Sequence, residues 1–379
     1  MVGGGEGAFM GAVHRSAASL DGTLELTCGA FSSDPQRSRQ TGEILCLDPN
    51  RCYSDYETMF RNEATLPADQ RMEFVAVVTP NYLHFPVAQA AMKNGFHVLS
   101  DTPATVSLKE CRALAELVEQ TGLLYGLTHP YTSYPLVIEA AERIRRGDLG
   151  TVRKVIVEYT QGWLAEPIEK RGNPQARWRF DPAKAGPSGC IGDIGVHAFN
   201  LTEFVTGLQV EMICSELQSV IEGRELDDDG SALMKFDNGA SGVLIASQIC
   251  TGDENDLRLR VYGDSAAIEW TQQDPNTLWL KHRNRPTELI RTGGIHTTPA
   301  ANRHRRLPSG HPEGFIEAFG NLYRKFGEHI RARRKGDQLS QRALRLPGIH
   351  DALRGMAFIE TAVHGSRTDS KWHRLAGDA

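Results

Sequence analysis

Five consecutive apolar residues, Phe74-Val75-Ala76-Val77-Val78, run with no polar residue among them. A strand wetted on one face alternates polar with apolar. One that is apolar throughout is buried on both faces, as in a parallel sheet covered by helices. The neighbouring segments repeat the theme. Thr79-Pro80-Asn81 ends the run, and His84 to Asn94 follows with helical spacing up to Gly95. Phe96 to Leu99 is the next strand, Leu108 to Gln120 the next helix, closed by Gly122, and Leu123 to Leu127 a strand again. Upstream, Leu24 to Phe31 reads as a strand, with a turn at Ser32-Ser33-Asp34-Pro35 and a helix starting at Arg37. Strands alternating with helices of about ten to fifteen residues predict an α/β fold with a doubly wound parallel sheet.

The region opens with Gly3-Gly4-Gly5-Glu6-Gly7-Ala8, which fits G-x-G-x-x-A, and Phe9 to Arg15 can continue it as a helix. Glycine is required where backbone N–H groups at a helix N-terminus must approach a pyrophosphate closely. Gly3, Gly5, Gly7, Ala8 and Phe9 are therefore candidate cofactor contacts. Only Met1-Val2 precede the glycines, so the first strand is expected to be short or to begin before the sequence given. At the end of the second strand, an acidic residue would accept from a ribose 2′-OH and select NAD. Ser32 and Ser33 stand there, Arg37 could pair with a 2′-phosphate, and Asp34 would favour NAD if aimed at the ribose. Arg37 equally suits a solvated helix surface. NAD and NADP both remain open.

From about Thr128 the pattern changes to a helix, Tyr134 to Arg146, and then to alternating runs: Val152 to Tyr159, Glu211 to Val220, Ser231 to Phe236, Ala240 to Ile249, Leu257 to Gly263, Ala266 to Thr271 and Thr277 to Lys281. Asp237-Asn238-Gly239 marks a hairpin. This predicts an α+β domain with a large, mostly antiparallel sheet. A chain of 379 residues is long enough for two cores. We expect a dinucleotide-binding domain over 1–128 and a substrate-binding and self-association domain over 129–379.

Gly192-Asp193-Ile194-Gly195-Val196-His197 sits at an expected helix start. At i and i+4, Asp193 and His197 project from one helical face. Oxidising a secondary alcohol needs a base for the hydroxyl proton, and an imidazole with an ordinary pKa near ~6.5 suits that task, with a carboxylate beside it to orient the ring. The same pair also fits a helix N-cap with a polar neighbour. No third ligand suggests a metal.

Composition excludes other classes. A net charge of −5 argues against nucleic acid or anionic lipid as the main partner, and the clusters Arg303 to Arg306 and Arg331 to Lys335 read as solvated surface. Seven scattered cysteines form no C-x-x-C pair, which fits reduced thiols in a cytoplasmic enzyme. No signal-peptide pattern opens the chain and no apolar run approaches the ~18 residues of a membrane span.

Several segments together resemble the Gfo/Idh/MocA family of NAD(P)-dependent sugar and cyclitol oxidoreductases. They are the glycine turn, Thr79-Pro80-Asn81 with His84, Gly95 to Leu99 followed by Ser100-Asp101-Thr102-Pro103, Gly147 to Gly150, the Asp193/His197 pair, and Gly310-His311-Pro312-Glu313-Gly314-Phe315. The resemblance implies a Rossmann domain joined to an α+β domain, with cofactor contacts extending to Thr79, Pro80, Asn81, His84, Asp101 and Pro103. It implies catalysis by Asp193 and His197. It also implies a homodimer or homotetramer, often packed through the open face of the second sheet. Tyr131, Trp163, Arg177, Trp178, Arg179 and His311 lie in segments that the family folds over its substrate, although Trp178 also fits a core, the two arginines a surface loop and His311 a helix start. The departure is Thr102, which stands where the family has a lysine that binds the reacting hydroxyl. A threonine cannot supply that charge. The expected activity is hydride transfer between NAD(P) and a secondary hydroxyl of a sugar or polyol, slowed by Thr102. Two alternatives stand beside it: a non-catalytic nucleotide- or sugar-binding regulator, and a redox-assisted lyase or glycosidase that retains its cofactor.

Overall fold

The computed structural model describes residues 1–337 and 345–375. The chain divides into two compact units, one formed by 1–128 with 319–353, the other by 129–318 with the stretch from Arg354 onward.

The first unit holds a four-stranded parallel sheet of β1 (Val2–Gly3), β2 (Phe74–Val78), β3 (His97–Ser100) and β4 (Tyr125–Leu127), in that order. Between the strands lie α1 (Phe9–Ser19), α2 (Pro35–Ile44), α3 (Tyr56–Thr65), α4 (His84–Lys93) and α5 (Leu108–Thr121). Val75, Val77, Val98 and Leu99 are fully buried, as strands covered on both faces require. The strand expected over Leu24 to Phe31 is not formed as such. This stretch makes sheet bonds only at Gly29 and Ala30, to Val2 on one side and Cys52 on the other. The reason is its partner: β1 offers two residues, so a longer ladder has nothing to pair with. Asp55 caps the unexpected α3 by accepting from the Thr58 N–H at 2.7 Å.

In the second unit, α6 (Pro135–Arg145) leads into β5 (Val152–Thr160), followed by the short helices α7 (Pro174–Arg179) and α8 (Pro182–Ala185) and by α9 (Val196–Thr206). Then come β6 (Val210–Gln218), β7 (Asp229–Phe236), β8 (Ser241–Ser247), β9 (Asp256–Gly263), β10 (Ala266–Thr271), β11 (Thr277–His282) and β12 (Glu288–Arg291). After α10 (Pro299–Asn302) the chain forms α11 (Phe315–Lys335), most of which belongs to the first unit, then α12 (Ile349–Ser366) and the last element, β13 (His373–Arg374). The sheet runs β12-β11-β10-β9-β5-β8-β7-β6-β13 and is antiparallel except where β5 lies parallel to β8. Asn238 and Gly239 (φ +84°) turn β7 into β8, as the sequence predicts.

The sequence gives no sign that the chain after Ala318 returns to the first unit. There Phe326 packs edge-on against Phe74 at 5.0 Å, and Gly126 on β4 leaves the room it needs, since a Cβ would stand 2.8 Å from the Phe326 ring. An unbroken second domain over 129–379 therefore does not describe 319–353.

His97 opens β3 and accepts the Leu124 N–H on Nδ1 at 3.0 Å. Burial first, then the Arg333 and Arg334 charges, push its imidazole down to about 4. Between that value and the ordinary ~6.5 the unfolded chain binds more protons than the folded one, so stability rises with pH across this window and falls as pH drops through it. Urea unfolding from pH 4 to 7.5 should show the native chain losing about 1–2 kcal/mol, solvent screening included, relative to His97→Asn as pH falls from 6.5 to 4. Parallel curves for the two proteins would contradict this account.

Candidate active site

In the glycine turn, Gly3 (φ +75°), Gly4 (φ +67°) and Gly7 (φ +79°) all adopt left-handed backbone. A Cβ on Gly3 would stand 2.2 Å from the Val78 carbonyl oxygen, whereas around Gly7 there is open space. Ala8 precedes α1 and offers no side-chain cap, no acidic residue occupies the first turn, and Phe9 is 69% exposed. This leaves N–H groups at a helix N-terminus for an anion. At the end of β2 the Thr79 hydroxyl is buried with no partner among the described residues. A dinucleotide fits this loop.

The sequence reading missed Gly11. A Cβ there would lie 2.0 Å from the Gly4 carbonyl oxygen, so only glycine lets α1 approach the turn. It also missed His14, one turn further on. His14 is buried, with Nε2 2.8 Å from Asp101 Oδ1 and Nδ1 2.7 Å from the Tyr323 hydroxyl. Thr128 donates its hydroxyl to the same Asp101 oxygen at 2.6 Å. Burial works against the Asp101 charge, but His14, Thr128 and His84 outweigh it and hold the carboxyl below its ordinary value. Asp101 thus ties α1 to the ends of β3 and β4. His84 is likewise buried, its ring nitrogens 2.7 Å from the Pro103 carbonyl and 2.8 Å from the Thr79 carbonyl. Pro80 begins the short Asn81–Leu83 turn, in which Asn81 is buried. Thr102 is half-buried before a cis bond to Pro103. Asp34 caps α2, its Oδ1 accepting from the Gln36 and Arg37 N–H groups, while Ser33 and Arg37 are exposed and Ser32 is half-buried.

The second unit gathers a separate constellation. Asp193 lies in a π-helical turn, Ile191–Gly195, that runs into α9, and both it and His197 are half-buried. Such turns widen the helix and recur at functional sites. Arg179 Nε straddles both Asp193 oxygens at 3.2 Å, and Gln248 donates to Oδ2 at 2.8 Å. His129 meets His197, Nδ1 to Nδ1, at 3.0 Å. Tyr131 packs edge-on to the His197 ring, and its phenol pairs with that of Tyr159. Tyr159 donates to Asn255 at 2.7 Å, Gln161 donates to the same amide oxygen at 2.7 Å, and the Trp163 indole donates to Gln161 at 2.9 Å. Burial raises both tyrosines, so both stay neutral phenols. Arg179 lies 4.3 Å from the Trp178 ring and 5.7 Å from that of Trp163.

Tyr131, Trp163, Trp178, Arg179, Asp193 and His197 thus form one connected group. Arg177 is exposed on α7, and His311 is exposed with its Nδ1 3.3 Å from the Pro308 carbonyl. The sequence reading missed His129, Tyr159, Gln161, Gln248 and Asn255. The one signal was position: Gln161 follows β5 and Gln248 follows β8 at the carboxyl ends of the parallel pair, where α/β sheets gather ligands. Among the described residues no group of three His, Cys, Asp or Glu is placed to hold a metal.

A glycine-turn dinucleotide fold joined to a sheet domain with a half-buried histidine defines a nicotinamide-dependent oxidoreductase. Residues 1–129 match the model of the oxidoreductase family with an NAD-binding Rossmann fold, and 137–269 match that of the GFO/IDH/MocA C-terminal domain. The chain is 32% identical over 375 residues to the uncharacterized oxidoreductase YfiI of Bacillus subtilis, covering 98% of this chain and 95% of that protein. It superposes on an inositol dehydrogenase homolog from Azotobacter vinelandii with a TM-score of 0.95 at 34% identity (99% and 96% of the two chains) for the NAD+ complex, and 0.92 at 33% (also 99% and 96%) for the complex with NADH and myo-inositol. An oxidoreductase from Sinorhizobium meliloti gives 0.88 at 41% identity, covering 98% of each chain. The chain belongs to the Gfo/Idh/MocA family of NAD(P)-dependent oxidoreductases.

Gly11→Ala should force α1 away from Gly4 at a cost of about 1–3 kcal/mol, which weakens dinucleotide binding about tenfold or more. Titration calorimetry with NAD and NADP on the folded variant checks this. Unchanged affinity would show that the close approach does not shape the binding turn.

Proposed function

We propose that this enzyme oxidises a secondary hydroxyl of a neutral sugar or cyclitol, or reduces the matching ketone, with His197 exchanging the hydroxyl proton at Nε2. The observation that carries this reading is the polar row around His197. Tyr131, Tyr159, Gln161, Gln248 and Asn255 offer donors and acceptors of both kinds, as a ring of hydroxyls requires. The Asp193 carboxylate is offset by Arg179, so the group carries little net charge and suits an uncharged substrate. Trp163, one-third exposed, offers a flat face to a sugar ring. The Azotobacter vinelandii relative solved with NADH and myo-inositol supports a cyclitol or similar ring. Bound nicotinamide supplies the hydride acceptor or donor. The glycine turn and α1 N-terminus would hold its pyrophosphate, with Ser32, Ser33 and Arg37 toward the adenosine ribose. Asp193 orients substrate through its Arg179-braced carboxylate, and His197 takes the proton as the carbonyl forms.

Thr102 stands at the family's lysine position in this reading and leaves the developing alkoxide without an ammonium. Losing one such contact costs about 10²–10³ in rate. Absorbance of reduced nicotinamide, with sugars and inositols and with NAD and NADP separately, should show slow turnover. Thr102→Lys should raise it about 10²-fold, and His197→Ala should abolish it with cofactor affinity held within a few-fold. Turnover unaffected by His197→Ala would sink the assignment; cofactor binding without turnover in every form would favour a regulatory binding protein.

Self-association through the outward face of the large sheet completes the proposal. Ile156, Val243 and Leu233 lie in register on β5, β8 and β7, and Leu233 is 44% exposed, while α6 and α9 pack on the sheet from within this unit. Light scattering should give a dimer or tetramer, and Leu233→Glu should shift it toward monomer. A monomeric native chain would refute this. All seven cysteines are free thiols, which supports a reducing, cytoplasmic setting, and among the described residues no helix is long and apolar enough to cross a membrane.

A further inference from the structure

His129 is 1% exposed and immediately precedes the Pro130–Ser133 turn. Thr132 holds it there, donating its N–H (3.2 Å) and its hydroxyl (2.8 Å) to the His129 carbonyl. The ring sits edge-to-face with His197 at 85°, with Nδ1 3.0 Å from Nδ1 of His197. Its Nε2 is buried and has no partner among the described residues. A buried imidazole with one partner is poor packing, since an apolar side chain would fill the space without an orphaned nitrogen. Its chemistry therefore lies in that single contact.

We propose that His129 is a positioning residue whose Nδ1 accepts a hydrogen bond from the Nδ1–H of His197, fixing the tautomer that presents His197 Nε2 to the substrate proton. This deepens the role proposed for His197 and rests on that reading. Two nitrogens that face each other share one proton, so one ring must be bare at Nδ1. Once His197 has taken a proton, both of its nitrogens carry one. Only a neutral His129, bare at Nδ1 and protonated at Nε2, then keeps the contact. Burial, reinforced by the charge His197 can carry, pushes His129 well below its ordinary value and keeps it neutral. Of the titratable groups in this network, Tyr131 and Tyr159 are neutral phenols, and Asp193 is held by Arg179 and Gln248. His129 thus fills the place that a carboxylate or carbonyl takes behind many functional histidines.

The test uses the full chain with 15N-labelled histidine, native and as His129→Asn and His129→Leu. Asparagine puts an amide oxygen near the Nδ1 position; leucine removes the acceptor. Ring-nitrogen spectra, assigned with His197→Ala, read the tautomer without needing turnover. A failed dehydrogenase reading, seen as no turnover in the native chain, is therefore distinguishable from a failed pairing. The expected result is His197 protonated at Nδ1 in the native and Asn forms and shifted toward Nε2–H in the Leu form. In the oxidative direction kcat should fall about 10–100-fold with Leu and stay within about threefold with Asn. The acid limb of the Leu profile should move to lower pH, because the imidazolium has lost its acceptor. A native His197 carrying its proton at Nε2 overturns the proposal whether or not the Leu variant folds, as do identical tautomers and pH profiles in the Asn and Leu forms.

Discussion

The constellation around His197 hangs on one buried carboxylate. Asp227 accepts from the Ser188 hydroxyl at 3.0 Å and from the Gly189 and Ile191 N–H groups at 2.9 Å, while its own carbonyl takes the Cys190 N–H at 2.8 Å. The Ser188 oxygen in turn accepts the Gly192 N–H. These are the donors that a helix start leaves unsatisfied, and here they serve a π turn, whose wider spacing needs the support. Burial pushes the Asp227 carboxyl up, and its three donors oppose that shift. Gly189 makes the fit possible, since a Cβ there would stand 2.4 Å from the Asp227 carbonyl oxygen. Asp227 lies two residues before β7, so the large sheet itself sets where the turn begins and therefore where Asp193 and His197 project.

The same sheet supplies the polar row. β5 and β8 run parallel, with Thr160 opposite Ser247, so Gln161 and Gln248 emerge side by side beyond their carboxyl ends. β9 runs the other way and brings Asn255, one residue before its first, to the same edge. One parallel pair within an otherwise antiparallel sheet is what gathers three amides at one end. Their hydrogen bonds then link Tyr131 and Tyr159 to Asp193 through a continuous chain of neutral groups, with Arg179 as the one cation. Such a network holds its members in place, because its hydrogen bonds support one another within the protein.

Much of this was legible in the sequence. Apolar runs flanked by turn residues gave the parallel sheet, and period-two alternation gave the second one. The glycine turn pointed to the dinucleotide fold, and the Asp193/His197 spacing marked the stretch that forms the π turn and the start of α9. What stayed hidden depends on long-range geometry. Gly11 looks like any helical glycine until its distance to Gly4 is known. His84 and Asp101 carry motif-like identities, yet both His84 ring nitrogens meet backbone carbonyls and Asp101 Oδ1 meets His14 and Thr128. The strand over Leu24 to Phe31 has strand composition, but β1 is too short to pair with it. The carboxylate partner expected for His197 was inferred from helical periodicity. A histidine nearly seventy residues earlier, which no local periodicity could reveal, meets the ring at Nδ1.

Thr102 and His129 bear on the same balance in the proposed chemistry. With a lysine, an ammonium would share the charge of the forming alkoxide, and proton removal could lag behind hydride departure. Without it, little relieves that oxygen except transfer of its proton, so the work falls on the basicity and fixed orientation of His197. A neutral acceptor behind that ring steadies the imidazolium without adding a negative charge that would need its own counterion in a buried place. The one carboxylate in the group is already matched by Arg179. In that proposal the charges of Asp193 and Arg179 offset each other, and the proton becomes the main thing the protein has to move.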